Sequence, residues 1–191
     1  MSISNHIVAL QDMLDEWRQL GSKLLPNGVE LIGQLGSEDS WMHAVYPSLL
    51  LEDVGDLEAD LGRSLPNGYR TFLKGCGGLI CFGGLFTLYP YRGVGPLDSS
   101  LSTAGEGLVR VNQLLSGASW MPSDAIAIAT NALDGSVQVV GMGDNPEEVV
   151  RCDPRDGDVI ERHEHVFACV SDRLTRSDRR FFPDLCDVSP T

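Results

Sequence analysis

The feature that most constrains this fold is a change of hydrophobic period at Gly75-Cys76-Gly77-Gly78. Before it, apolar residues recur at helical spacing: Ile7, Leu10, Leu14 and Trp17, then Val54, Leu57 and Leu61, then Tyr69, Phe72 and Leu73. After it come short runs rich in aliphatic and aromatic residues, at 79–91, 126–130, 137–141, 149–152 and 159–163. Two acidic glycine turns, Asp134-Gly135 and Arg155-Asp156-Gly157-Asp158, separate hairpin partners. Residues 166–182 return to helical spacing through Val170, Leu174 and Phe181, and Pro183 stops them. Helices, then antiparallel hairpins, then a last helix define an α+β fold with a mainly antiparallel sheet.

Local punctuation refines the boundaries. Ser4 suits the cap of a first helix, which Gly21 loosens and Pro26-Asn27-Gly28 breaks. Residues 29–35 read as a short helical turn and 36–39 as a loop. Residues 1–46 are therefore expected to form an N-terminal helical extension, 47–185 the main α+β domain and 186–191 a tail. Ser48 or Asp53 is the expected cap of the second helix. Gly62 stands at its end, where a left-handed cap needs no Cβ. Pro66 fits the first turn of the third helix, since its missing N–H would be unpaired there anyway. Gly75, Gly77 and Gly78 read as its closing cap, Gly83-Gly84 as a strand turn, and 93–105 as a loop. Leu25-Pro26-Asn27-Gly28 recurs as Leu65-Pro66-Asn67-Gly68, each copy after a Leu-Gly pair. Either a duplicated helix–turn–helix or shared turn chemistry explains the echo, and turn chemistry is the simpler cause.

Charge narrows the partners. The 191 residues carry 14 basic and 27 acidic side chains, a formal charge of −13. Residues 1–150 hold 7 basic against 18 acidic, while 151–191 hold 7 against 9. Such a chain repels nucleic acid and anionic lipid and attracts a basic partner, although acidity also serves plain solubility. Five irregularly spaced cysteines without a CxxC pair, and four histidines, argue against a zinc framework. No 18-residue apolar stretch and no signal-like start occur, so a reduced, cytoplasmic protein with free thiols is expected.

Motifs that carry chemistry are weak. The glycine clusters lack the Gly-Lys-Ser/Thr of a P-loop and the strand–GxGxxG–helix unit of a dinucleotide site. His163 and His165 share one face of a strand, but no third metal ligand is apparent. Asp153, Asp156 and Asp158 lack the ligand spacing of a calcium loop, because Arg155 interrupts it. Arg173, Arg176 and Arg180 share a helix face suited to phosphate, yet Asp172 and Asp178 interleave with them as in a salt-bridged face. No nucleophile elbow or nucleophile–histidine set is found. No catalytic residue, metal or cofactor is expected.

The stretch 57–73 is similar to the opening motif of the SUKH superfamily, in its Smi/Knr-like branch. Leu61-Gly62, Leu65-Pro66, Tyr69, Phe72-Leu73 and Gly77-Gly78 carry the resemblance, with Cys76 where the family pattern has Asn. Residues 85–89, 125–136, 149–163 and the helix from Phe167 resemble later parts of the family in the right order. The resemblance spans about 47–185 and is silent on the first 45 or so residues. It implies an α+β domain with one main sheet. It also implies a non-catalytic role, binding and neutralising a cognate bacterial toxin in the producer cell.

An acidic surface would steer such a chain onto a basic toxin, such as a nuclease. The expected partner-binding residues are Asp134, Asp144, Glu147 and Glu148 in the sheet loops, with Tyr89 and Tyr91 as aromatic anchors. The acidic segment 52–60 is the alternative face. A scaffold module with a non-toxin partner is the competing function, and an enzyme with an unrecognised site the third.

Overall fold

In the computed structural model, residues 3–36, 40–91 and 107–181 are described. Among them, nine strands form one sheet in sequence order: β1 Ser22–Leu24, β2 Glu30–Gln34, β3 Trp41–Tyr46, β4 Gly78–Cys81, β5 Phe86–Leu88, β6 Ile126–Asn131, β7 Val137–Val140, β8 Val149–Cys152 and β9 Val159–His163. Every neighbouring pair is antiparallel. The helices are α1 Ile3–Arg18, α2 Leu51–Leu61, α3 Asn67–Gly75, α4 Leu108–Leu115 and α5 Val166–Phe181. This is the α+β arrangement expected: helices, a large antiparallel sheet, a final helix.

The helical reading of the N-terminal segment holds for α1 and fails for 22–46. Residues 22–24, 30–34 and 41–46 make β1, β2 and β3, and Ala44, Val45 and Tyr46 pair with Ile80, Leu79 and Gly78 of β4, while 37–39 of the expected loop at 36–39 lie outside the described residues. A short apolar run such as 29–35 fits helix and strand equally, and the long-range partner decides. The Leu-Pro-Asn-Gly echo is local chemistry, because its two copies build different structures. In the first, Gly28 at φ 84° and the Asn27 side chain, accepting from the Val29 N–H at 3.1 Å, turn the β1–β2 hairpin. In the second, Asn67 and Gly68 open α3.

One large core unites α1 (Leu10, Leu14, Trp17), α2 (Val54, Leu57), α3 (Tyr69, Phe72, Leu73) and α5 (Phe167, Val170, Leu174) with the sheet. Each such side chain contributes roughly 1.5–3 kcal/mol on burial, as an upper estimate. Alternation along the strands sends Leu31, Ala44 and Ile80 to the other face, where Val29 and Tyr46 join them in a smaller cluster. Cys76, Cys81, Cys152 and Cys169 are free and buried.

Gly77 and Gly78 have a different task from the expected cap. Neither has a positive φ. A Cβ on Gly77 would lie 2.1 Å from the Pro47 carbonyl oxygen, and one on Gly78 2.8 Å from Pro90 Cα. Both contacts are with backbone, which cannot rotate away. Gly62 does what its position suggests: at φ 68° it takes the left-handed cap of α2, and its N–H reaches the Ala59 carbonyl. Of the two expected devices at the N-terminus of α2, Asp53 serves and Ser48 does not. Asp53 reaches back to the Leu50 N–H at 2.9 Å, while Ser48 donates to the Gly75 carbonyl at 3.1 Å.

Helix α4 had no counterpart in the sequence reading. Asn112, buried on it, accepts from the Ala127 N–H at 2.9 Å and donates to the Ala127 carbonyl at 2.8 Å, docking the helix at an irregularity in β6. The expected loop at 93–105, the stop at Pro183 and the tail at 186–191 lie outside the described residues.

Candidate partner-binding surface

Helices α2 and α3 form a hairpin whose geometry is fixed by one carboxylate. Glu58 Oε1 accepts from the Leu65 N–H at 2.6 Å and from Arg70 Nε at 2.8 Å, tying the connecting turn to α3. The next support comes from far along the chain. α3 has no capping side chain at Pro66, and Glu147 supplies one by accepting from the Gly68 N–H at 2.8 Å. A carboxylate at a helix N-terminus also meets the positive end of the helix dipole.

The expected contact residues sit as follows. Asp144 is exposed in the β7–β8 loop and has no ion pair among the described residues. Glu147 and Glu148 follow it, but Glu147 is engaged at Gly68 and Glu148 bonds Arg162 at 2.5 Å. Asp134, at the opposite end of the sheet in the β6–β7 turn, pairs with Arg151. Burial opposes its ionisation, but hydrogen bonding with Ser136 and the charge of Arg151 outweigh that and hold its carboxyl below the usual range. The six residues therefore do not converge on one patch.

Tyr89 and Tyr91 lie inside the fold rather than on its surface, at 7% and 6% exposure. Their hydroxyls are anchored internally: Tyr89 Oη lies 2.9 Å from Thr130 Oγ1, and Tyr91 donates to Asp60 at 2.8 Å. A strand end rich in tyrosine resembles an exposed anchor in sequence, and what buries it comes from elsewhere in the chain.

A second charged centre joins β8, β9 and α5. Glu161 receives Arg173, which is buried, together with Arg176 at 2.7 Å and Arg151 at 3.6 Å. Burial opposes the Glu161 charge, yet Arg173 and Arg176 hold its carboxyl below the usual range. His163 stands 3.7 Å from Glu161, and burial pushes its pKa down. The two histidines expected to face together are split, since His165 Nδ1 accepts from the Ala168 N–H at 3.1 Å at the start of α5. Glu161, His163 and Asp172 each bring one ligand-type atom to within 4.8 Å of the others. The three guanidiniums around Glu161 already supply the positive charge a cation would bring. The phosphate reading of the α5 arginines meets the same network, because Arg173 and Arg176 are paired to Glu161 and Asp172. The Arg180 side chain lies outside the described residues. The Asp153–Asp158 segment is a turn, with Asp153 accepting from the Arg155 N–H and Asp156 from the Asp158 N–H.

No helix among the described residues is long and apolar enough to cross a membrane. A meandering antiparallel sheet layered by helices, entered through a Leu-Gly…Leu-Pro…Tyr-x-x-Phe-Leu hairpin and closed by a Gly-Gly pair, defines a small α+β domain of one class. The family model of the SMI1/KNR4 family (SUKH-1) matches residues 49–168, and the chain belongs to that family. Domains of this family are generally non-catalytic, bind protein partners and commonly serve in toxin immunity. No curated protein matches the chain.

Proposed function

We infer that this chain is an immunity protein that neutralises a cognate bacterial toxin by direct binding, in the cytoplasm of the producing cell. The observation that carries the reading is family membership across 49–168. The formal charge of −13 supports a basic toxin, such as a nuclease, because long-range attraction raises encounter rates by orders of magnitude. Exposed Asp144, with Glu147 and Glu148 beside it and Asp134 at the far turn, contributes to that field. The mechanism needs no chemistry: a tight complex blocks the toxin's active surface.

The test is protection. The chain is co-expressed in turn with basic nuclease toxin domains, and growth is scored with and without the chain. Rescue together with a stoichiometric complex of the purified proteins supports immunity. Failure to rescue, with a complex to some other cellular protein, favours a scaffold module instead.

A further inference from the structure

Both copies of the Leu-Pro-Asn-Gly string hold an asparagine followed by glycine. A glycine amide is the least hindered backbone nitrogen for attack on the preceding side chain, because no Cβ stands in its way. Asn5, Asn112, Asn131 and Asn145 all precede other residues. Asn27 and Asn67 are both exposed. Their local sequence is the same, so any difference in reactivity between them is imposed by the fold.

Neither a helix nor a tight turn lets the glycine nitrogen reach the asparagine Cγ until the backbone there rotates out of its folded conformation. The cost of that opening differs between the two sites. At Asn67 it is high. Gly68 is buried, its N–H donates to Glu147 at 2.8 Å, and a Cβ on it would lie 2.5 Å from Glu147 Oε2. The Asn67 carbonyl accepts from Thr71 Oγ1 at 2.9 Å, and Tyr69, the next residue, is in the core. Opening here breaks a cap held by a distant loop and disturbs α3. At Asn27 the bonds to be broken are all local. Gly28 N–H donates to the Leu25 carbonyl at 2.9 Å, Leu25 N–H to the Val29 carbonyl at 2.8 Å, and Val29 N–H to Asn27 Oδ1 at 3.1 Å. Buried Val29 anchors the β2 side of the turn. The other side is β1, an edge strand whose three residues are all exposed. Local opening costs almost nothing at such an edge and approaches the full stability in a core helix.

We propose that Asn27 is a site of spontaneous deamidation in the folded chain and that Asn67 is protected from it by the Glu147 cap. At Asn27 the Gly28 nitrogen gives its proton to hydroxide and attacks Cγ. The N–Cγ bond forms, the Cγ–Nδ2 bond breaks, and the leaving nitrogen takes a proton from water and departs as ammonia. Water then opens the five-membered succinimide at either carbonyl, giving aspartate or iso-aspartate. No oxidant or cofactor takes part. Either product adds a negative charge to the hairpin tip. Iso-aspartate also lengthens the main chain by one carbon inside the turn, which displaces Leu25 from Val29 and unpairs β1 from β2. The immunity reading plays no part in this chemistry.

The test incubates the full chain in mildly alkaline buffer, with and without urea, and follows tryptic peptides by mass. Cleavage after Lys23, Arg63 and Arg70 puts the two asparagines on separate peptides, 24–63 and 64–70, each with no other asparagine. The readout is the mass gained when an amide becomes a carboxylic acid. In the folded chain Asn27 should convert at least about tenfold faster than Asn67. In urea the two rates should converge, since only the fold separates them. Asn27→Gln, whose ring closure is far slower, should remove the gain from peptide 24–63. Glu147→Ala should raise the Asn67 rate about fivefold, the worth of a helix cap, and leave Asn27 unchanged. Equal rates in the folded chain, or an Asn27 that converts only in urea, would overturn the proposal. So would a rate ratio that survives urea, a gain that persists in Asn27→Gln, or an Asn67 rate indifferent to Glu147→Ala.

Discussion

Glu147 holds the start of a helix that lies 79 residues earlier in the chain, its carboxylate accepting from the Gly68 N–H at 2.8 Å. Read as a free acid in a surface loop, Glu147 looks available to a partner; in the fold it is a cap. Glu147→Ala should therefore cost about 1 kcal/mol of stability, the ordinary worth of a helix cap. Asp144→Ala, three residues away and exposed, should stay within about 0.5 kcal/mol. Urea melts of the two variants decide between cap and bystander.

Phe72 is 1% exposed, with its ring 6.5 Å from Tyr69 and 5.4 Å from Phe167. It joins α3 to α5, so Phe72→Ala should cost about 3–5 kcal/mol through lost transfer energy and a cavity. A parent-like melt would contradict the packing of these two helices.

Glu161 and Asp134 both pair with Arg151 but differ in what they leave behind. Glu161→Ala strands the buried Arg173 and should cost about 3 kcal/mol. Asp134→Ala breaks a partly exposed pair and should cost less than about 1 kcal/mol. Equal losses in thermal melts would contradict Glu161 as the shared centre.

His43 gives the fold a pH signature. It is fully buried between Trp17 and Phe82, with both ring nitrogens unpaired, and burial pushes its pKa down to about 3. The folded state keeps it neutral, whereas the unfolded chain takes up a proton below about pH 6.5. Its contribution is therefore constant above about 6.5, and stability falls as pH drops from there toward 3. The limiting slope is about 1.4 kcal/mol per pH unit from this group. His43→Leu should flatten that part of the stability profile, and an unchanged slope would contradict the assignment.

What the sequence made legible was what lies close along the chain. The period change at Gly75–Gly78 located the strands that follow it, and residues 126–130, 149–152 and 159–163 became β6, β8 and β9 with shifts of at most one residue. Residues 29–35 were ambiguous because their strand partner, β3, itself pairs with β4 beyond two helices. Gly77 and Gly78 stood out in the motif, but their reason, the approach of the Pro47 and Pro90 backbones, is tertiary. The surface was the least legible part. Tyr89, Tyr91 and Glu147 are polar or amphipathic in sequence and acquire internal partners only through folding.

The most direct test of immunity by binding is the salt dependence of complex formation between the purified chain and a basic toxin domain against which it is scored in the growth assay. A one-to-one complex is expected, with association that slows steeply as ionic strength rises and dissociation that changes little. Toxin activity should fall in step with occupancy. No complex at low salt, or a complex that leaves the toxin fully active, would contradict the account.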